Sequence, residues 1–249
     1  MAETQSRVGC GPKPACEKQA RGCPCCGYGY PKRASLITDR YGWKWSLHVC
    51  GHCGVEYQAR PMTAEARKDF YGSGRYRQLC ALVTGKPWDD PEHLKSEQAK
   101  YAARWPHRFL SSRGAWLDFG GSTGVVSEAW STARNDITVA DYGDGATTTP
   151  EQALAVPDGT YDAILCCQTL DHLAEPLATL QQFLRVAKPD ARLFVDVVKK
   201  PHTAYKIDHD VYFPTAASFL GLIERSGWSV LWLDGETNPT HWSVLAEKP

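Results

Sequence analysis

No run in this 249-residue chain approaches the ~20 consecutive apolar positions that a membrane-spanning helix needs. Its start shows no apolar core of a secretion signal either. These two absences make a soluble, cytoplasmic protein with no membrane partner the expectation. Charge of one sign is also missing: 28 Lys+Arg balance 28 Asp+Glu, so no global field argues for nucleic acid. A dinucleotide fingerprint, Gly-x-Gly-x-x-Gly, is absent from the one stretch that could carry it. Counting from Gly120, the third position is Ser122 and the sixth Val125; counting from Gly121, the third is Thr123. A nicotinamide dehydrogenase is thereby disfavoured. Ten cysteines would read as disulfides in a secreted chain, but without a leader and with Cys-x-x-Cys pairs they read as metal ligands.

The balanced charge is unevenly spread. Residues 1–110 carry 18 Lys+Arg against 10 Asp+Glu, and residues 111–249 carry 10 against 18. A basic front half suits an anionic substrate, or the two halves attract each other. Residues 1–22 are rich in Gly, Pro, Lys and Gln, lack periodicity and read as a disordered tail, with Cys10 and Cys16 as free thiols.

Residues 23–60 open with Cys23-Pro-Cys-Cys26-Gly and continue to Cys50-Gly-His-Cys53-Gly, with 23 residues between Cys26 and Cys50. Two such turns form the frame of a zinc ribbon. Each brings two thiolates onto one metal, and the glycine after it permits backbone N–H groups to approach sulfur. The expected ligands are Cys23, Cys26, Cys50 and Cys53, with Cys25 the alternative to Cys26. A closed four-thiolate site is structural, because catalysis needs an open coordination position. Redox use of the same cysteines is the alternative. Leu47–Val49 and Val55–Tyr57 read as short strands around the site.

Residues 61–112 read as a helical connector or lid. Thr63 caps a segment bearing Ala66, Phe70 and Tyr71; Gly72-Ser-Gly74 interrupts it; Tyr76, Leu79, Cys80 and Val83 recur at helical spacing. Asp90-Pro91 starts another helix, with the acid at the cap and proline at the first position. Tyr71, Tyr76 and Arg77 are either substrate contacts or core aromatics and a solvated arginine.

From 113 to 249 strands and helices alternate, the pattern of an α/β sheet. Trp116-Leu-Asp-Phe-Gly-Gly-Ser-Thr-Gly124 runs from a strand through a glycine-rich turn into a helix start, a cradle for a nucleotide. Asp141 follows a second strand, 21 residues after Gly120, where an acid can accept both hydroxyls of a ribose; a turn role is the alternative. Tyr161–Cys167 is a third buried strand. A helix marked by Pro176, Leu180 and Leu184 stops at Lys188-Pro189-Asp190, Leu193–Val198 is a strand, and Trp228–Leu233 with Trp242–Ala246 form a terminal hairpin.

Asp118-x-Gly120-x-Ser122-x-Gly124 resembles the first motif of class I S-adenosylmethionine-dependent methyltransferases, Asp-x-Gly-x-Gly-x-Gly, with Ser122 at the middle glycine and Gly121 able to supply the lost freedom. Tyr161–Leu177, with its Leu170-Asp171-His172 step, the Lys-Pro-Asp turn and the Asp208–Pro214 stretch extend the likeness over residues 114–249. The front half resembles the N-terminal domain of sugar C-methyltransferases and, more loosely, a ribosomal-RNA guanine methyltransferase group. The resemblance implies a Rossmann-like sheet with a terminal antiparallel hairpin behind a small zinc ribbon and helical connector. It implies S-adenosylmethionine held by Asp118, Gly120, Gly121, Ser122, Gly124, Asp141, Cys167 and Gln168.

The sulfonium methyl is already activated, so the protein has to align a nucleophile and remove its proton. His172 is the first candidate base, oriented by Asp171 or Asp208; His209 is the second. Gln168-x-x-Asp171-His172 also partly resembles the Glu-x-x-Glu-His of metal-dependent O-methyltransferases, with Gln168 in place of a charged ligand. The expected acceptor is a small or glycan-linked molecule such as a nucleotide sugar. The alternatives are an RNA methyltransferase whose basic ribbon grips phosphates, and a non-catalytic zinc-ribbon interaction module. Oligomeric state is not legible.

Overall fold

The computed structural model describes residues 11–87, 89–103, 110, 114–199, 211–235 and 240–249, apart from the side chains at 83 and 84. Cys10, Asp208 and His209 lie outside the described residues.

The central layer is a six-stranded sheet built from β4 (Gly114–Phe119), β5 (Asn135–Ala140), β6 (Tyr161–Cys167), β7 (Ala187–Val198), β9 (Ser229–Asp234) and β10 (His241–Glu247). Its order is β5-β4-β6-β7-β10-β9; the first four run parallel and β10 is antiparallel to both neighbours, giving the expected terminal hairpin. Side-chain alternation explains the near-continuous apolar strands. Leu117, Ile164, Cys166, Leu193 and Val195 enter one core with Leu180, Phe183, Phe219, Leu222 and Ile223 of helices α6 (Pro176–Val186) and α7 (Ala216–Arg225). Trp116, Ala163, Leu165 and Phe194 point the other way, onto Tyr101 of α3 (Pro91–Ala102) and Val126 and Trp130 of α4 (Val125–Trp130). Both faces are covered, as a parallel sheet requires.

The chain order turns back at β4, which has β5 on one side and β6 on the other. The crevice outside the carboxyl ends of these strands is where open α/β sheets bind ligands. Gly120, Asp141 and Gln168 each directly follow one of the three strands.

Lys188-Pro189-Asp190 does not end the helix as expected. Helix α6 stops at Val186 and the three residues lie within β7 as a bulge. Tyr161 pairs Ala187 while Ala163 pairs Arg192, and Asp190 takes φ +61° in the extra loop of chain.

The front half forms a second sheet, β1 (Pro31–Thr38), β2 (Lys44–Cys50), β3 (Glu56–Gln58) and β8 (Tyr212–Phe213), in that order. The last strand comes from the far end of the chain. Tyr57 pairs Tyr212, so the ribbon is not a separable segment 23–60, and Cys23, Val55 and Tyr57 share one continuous core with Leu117 and Ile164. Residues 11–22 also depart from the expected disorder. Glu17 N–H donates to the Pro61 carbonyl and Arg21 N–H to that of Ala59, both at 2.9 Å, pairing this stretch with the chain leading into α1 (Ala64–Gly72). Thr63 caps α1 and Asp90 caps α3 through their side chains, as read from sequence. Helix α2 (Arg75–Thr84) starts after Gly74 in the left-handed conformation, and α5 (Pro150–Leu154) follows β5. Among the described residues no helix is long and apolar enough to cross a membrane.

Candidate functional site

The cradle closes over its own strand. Gly120 takes φ +76°, and a Cβ there would lie 2.1 Å from Thr169 Oγ1. At Gly121 the same atom would lie 2.4 Å from the Asp118 carboxyl carbon. Each position therefore excludes any side chain, whatever its chemistry. Ser122 corrects the expectation about the missing glycine. Gly121 does not take up the lost freedom; Ser122 itself adopts φ +52°. That conformation costs about 1–2 kcal/mol in a residue with a Cβ. It is offset by the Ser122 N–H donating to Asp141 Oδ2 at 2.9 Å and by Arg77 Nη2 donating to Ser122 Oγ at 3.2 Å. Gly124, at φ +79°, then opens α4.

Asp118 sits beneath this loop, 1 % exposed, with no well-formed hydrogen bond to either carboxylate oxygen. Burial pushes its pKa up to about 6, only partly opposed by the nearby Ser127 hydroxyl and N–H. A buried acid left unbonded beside glycine-lined space is what a cationic ligand would complete. Asp141 does the opposite. Its Oδ2 accepts from Ser122, and Oδ1 accepts from the N–H groups of Tyr142 at 2.6 Å and Gly143 at 3.2 Å. The turn role is thus present, and it joins the β4 loop to the β5 loop.

At the end of β6, Cys167 and Gln168 reach the same crevice. Gln168 takes φ +51°, donates its N–H to the Asp196 carbonyl at 2.7 Å, and its Nε2 donates to Tyr101 Oη at 2.8 Å. Tyr101 Oη donates to Asp196 Oδ2 and Ser243 Oγ to Oδ1, so the amide is locked by a buried chain from α3 to β10. Sequence reasoning missed this network because its members are up to 142 positions apart in the chain (Tyr101 to Ser243). Asp171 is fully buried and accepts from the Val198 N–H at 3.0 Å, which anchors the Leu170–His172 turn to β7. His172 faces Tyr71 of α1: the rings stack with planes 7° apart, and Tyr71 Oη lies 3.3 Å from Nδ1.

Asp118, Gly120, Ser122, Asp141, Gln168 and the Tyr71–His172 pair line one cavity of about 910 Å³, whose wall also includes Tyr76, Arg67, His93 and Lys199. Arg67 carried no weight in the sequence, although its place four residues before Tyr71 on a Thr63-capped helix puts both side chains on one face.

The four predicted thiolates converge. Cys23 Sγ lies 3.6 Å from Cys53 Sγ, Cys26 Sγ lies 3.5 Å from Cys50 Sγ, and all four fall within 4.8 Å of one another. Tetrahedral zinc with ~2.3 Å bonds to sulfur needs sulfurs about 3.8 Å apart, so the donors fit it. Cys25 is buried outside the cluster, and the His52 and Cys53 N–H groups point at Cys50 Sγ.

The sheet order, the glycine cradle and the crevice at the strand switch define a class I S-adenosylmethionine-dependent methyltransferase. Residues 94–243 match the family described as "Methyltransferase domain", and the chain belongs to that family. No curated protein matches it. Among solved structures it is similar to the 1,6-didemethyltoxoflavin-N1-methyltransferase of Burkholderia thailandensis, at 13% identity and a TM-score of 0.52 over 87% of this chain and 99% of the other. That enzyme was solved with 1,6-didemethyltoxoflavin and S-adenosylhomocysteine bound. A further similarity is to an Aquifex aeolicus SAM-dependent methyltransferase, at 20% identity and a TM-score of 0.47 over 64% of this chain and 99% of the other.

Proposed function

We propose that this methyltransferase acts on a small-molecule or glycan-linked acceptor, a nucleotide sugar being the leading class. The observation that carries the reading is the shared cavity: the cradle at Gly120 and the Tyr71–His172 pair line one space of about 910 Å³. That volume suits a cofactor and a compact acceptor and lies within the range of small-molecule pockets. The Burkholderia enzyme, whose fold spans most of this chain, was solved with 1,6-didemethyltoxoflavin and S-adenosylhomocysteine bound.

In this reading Gly120, Gly121, Ser122 and Gly124 let the backbone approach the cofactor, Asp118 meets its cationic end and Asp141 its ribose. Cys167 and Gln168 floor the site. The cofactor would supply a methyl group activated by its sulfonium sulfur, the neutral thioether being the leaving group. The chain's own work is then orientation, exclusion of water and removal of a proton. His172 is the proton acceptor and Tyr71 orients its ring at Nδ1; the tautomer that can take a proton at Nε2 is the one whose Nδ1–H donates to Tyr71 Oη. Asp171 fixes the turn that carries it.

The four-cysteine cluster holds zinc in a structural role. An RNA acceptor is the second reading, favoured by β1, where Lys32, Arg33 and the nearby Tyr28 and Tyr30 are exposed. Transfer of label from S-adenosylmethionine to cell extract, separated into RNA, protein and small-molecule fractions, tests the proposal. Label in the small-molecule fraction supports it; label confined to RNA replaces it with the second reading.

A further inference from the structure

Arg67 is the group the mechanism leaves without work. It lines the cavity from α1, one helical turn before Tyr71, and its recorded hydrogen bonds amount to Nη2 donating to the Met62 carbonyl at 3.0 Å and its own backbone N–H closing the helix. Among the described residues it forms no ion pair. Burial nevertheless lowers its pKa, the sign of a guanidinium drawn out of water. A second cation stands near it. Arg21 is also lowered by burial and by repulsion from Arg67, and its Nη2 is buried with no partner. Glu175 and Glu17 are the acids whose fields reach Arg67, but neither is paired with it.

Of the cavity's acids, Asp141 and Glu97 are already committed and Asp118 is buried beneath its own loop. Asp141 is held by three backbone N–H groups, and Glu97 lies 3.4 Å from the Lys100 ammonium. The desolvation cost of a half-buried guanidinium is recovered when an anion arrives. A planar fork with free donors matches a carboxylate or a phosphate in two parallel hydrogen bonds.

We propose that Arg67 binds an acidic group of the acceptor, a carboxylate or a phosphate. Resting on the reading that this cavity holds the acceptor, the proposal narrows its class to anions.

The test titrates inorganic phosphate, and separately acetate, into the full-length protein by calorimetry and ³¹P or ¹³C NMR, each with and without S-adenosylhomocysteine. Saturable binding of one anion is expected. Arg67→Gln should weaken it at least tenfold, and Arg67→Lys, which keeps the charge but loses the fork, should weaken it less. Which anion binds tells a phosphate acceptor from a carboxylate one. Unchanged melting temperature and S-adenosylhomocysteine affinity in both variants exclude a folding defect. If neither anion saturates in the wild type, or if Arg67→Gln binds as well as wild type, the proposal is wrong. Failure of S-adenosylhomocysteine to bind would instead remove the cofactor assignment, and the anion titrations without it still decide the role of Arg67.

Discussion

Tyr71 lies parallel to His172 and offset from it, ring planes 7° apart and centroids 6.0 Å apart, with its hydroxyl 3.3 Å from Nδ1. One residue comes from the helical connector and the other from the turn after β6. This contact joins the connector to the cavity, as do the Arg77–Ser122 and Gln168–Tyr101 hydrogen bonds, and it fixes the imidazole ring at Nδ1.

Removing only the hydroxyl separates holding from stacking. Tyr71→Phe should lower kcat about tenfold, with KM for S-adenosylmethionine unchanged. His172→Ala should lower turnover by the ~10²–10⁴-fold typical of a lost acid–base group. The two losses should not add in the double variant, because Tyr71 acts through His172. Full activity of His172→Ala together with loss in His209→Ala would move the base to the later loop.

The cradle makes a prediction about size. Gly120→Val places carbon where Thr169 already stands, so cofactor binding measured by calorimetry should be abolished. Asp141→Ala should weaken it too, and by more than lost ribose bonds alone. The same carboxylate ties Ser122, Tyr142 and Gly143 together, and without it the left-handed Ser122 loses a bond that offsets its strain. Equal affinity in both variants would place the cofactor elsewhere.

Much of this site was legible in the sequence because its signals are local. The glycine turn, the acid after β5, the capped helices and the paired Cys-x-x-Cys turns each sit within a few residues. What was hidden is long-range. Nothing in Tyr212–Phe213 announces a strand that joins β3, more than 150 positions earlier. Proline in Lys-Pro-Asp read as a stop, but β7 absorbs it in a bulge. The tail from Gly11 to Gly22 lacks periodicity because it is held by backbone hydrogen bonds, which leave no pattern in side chains.

The link between the sheets changes what loss of metal should do. Val211 N–H donates to the Asp171 carbonyl and Gln58 N–H to the Val211 carbonyl, both at 2.7 Å, so a short path leads from the cysteine sheet to the His172 turn. Purified protein should carry about one zinc per chain. Chelation or Cys50→Ser should disorder the front sheet and also lower activity, while much of the circular dichroism of the α/β layer survives. Metal-free protein with an ordered front sheet and full activity would refute the structural role. Loss of activity on mild thiol oxidation, reversed by reductant with metal retained, would favour redox use.

Asp118 should set the pH dependence of both folding and cofactor binding. Burial holds its pKa near 6, against 3.8 for an ordinary aspartate. Between these values the folded protein binds more protons than the unfolded chain, so this residue adds stability as pH falls from about 6 towards 4, and above 6 its full desolvation penalty remains. Asp118→Asn removes the ionisation. The variant should be more stable than wild type at pH 7.5, and urea midpoints at pH 4.5 and 7.5 should lie closer together. Cofactor affinity should run the other way. An ionised Asp118 attracts a ligand bearing sulfonium and ammonium charges, so wild-type affinity should rise through pH 6, whereas Asp118→Asn should bind more weakly and without that rise. Calorimetry at both pH values checks it. Identical pH slopes in the two proteins would mean that Asp118 remains ionised in the folded state and that its charge is met by a partner other than the cofactor.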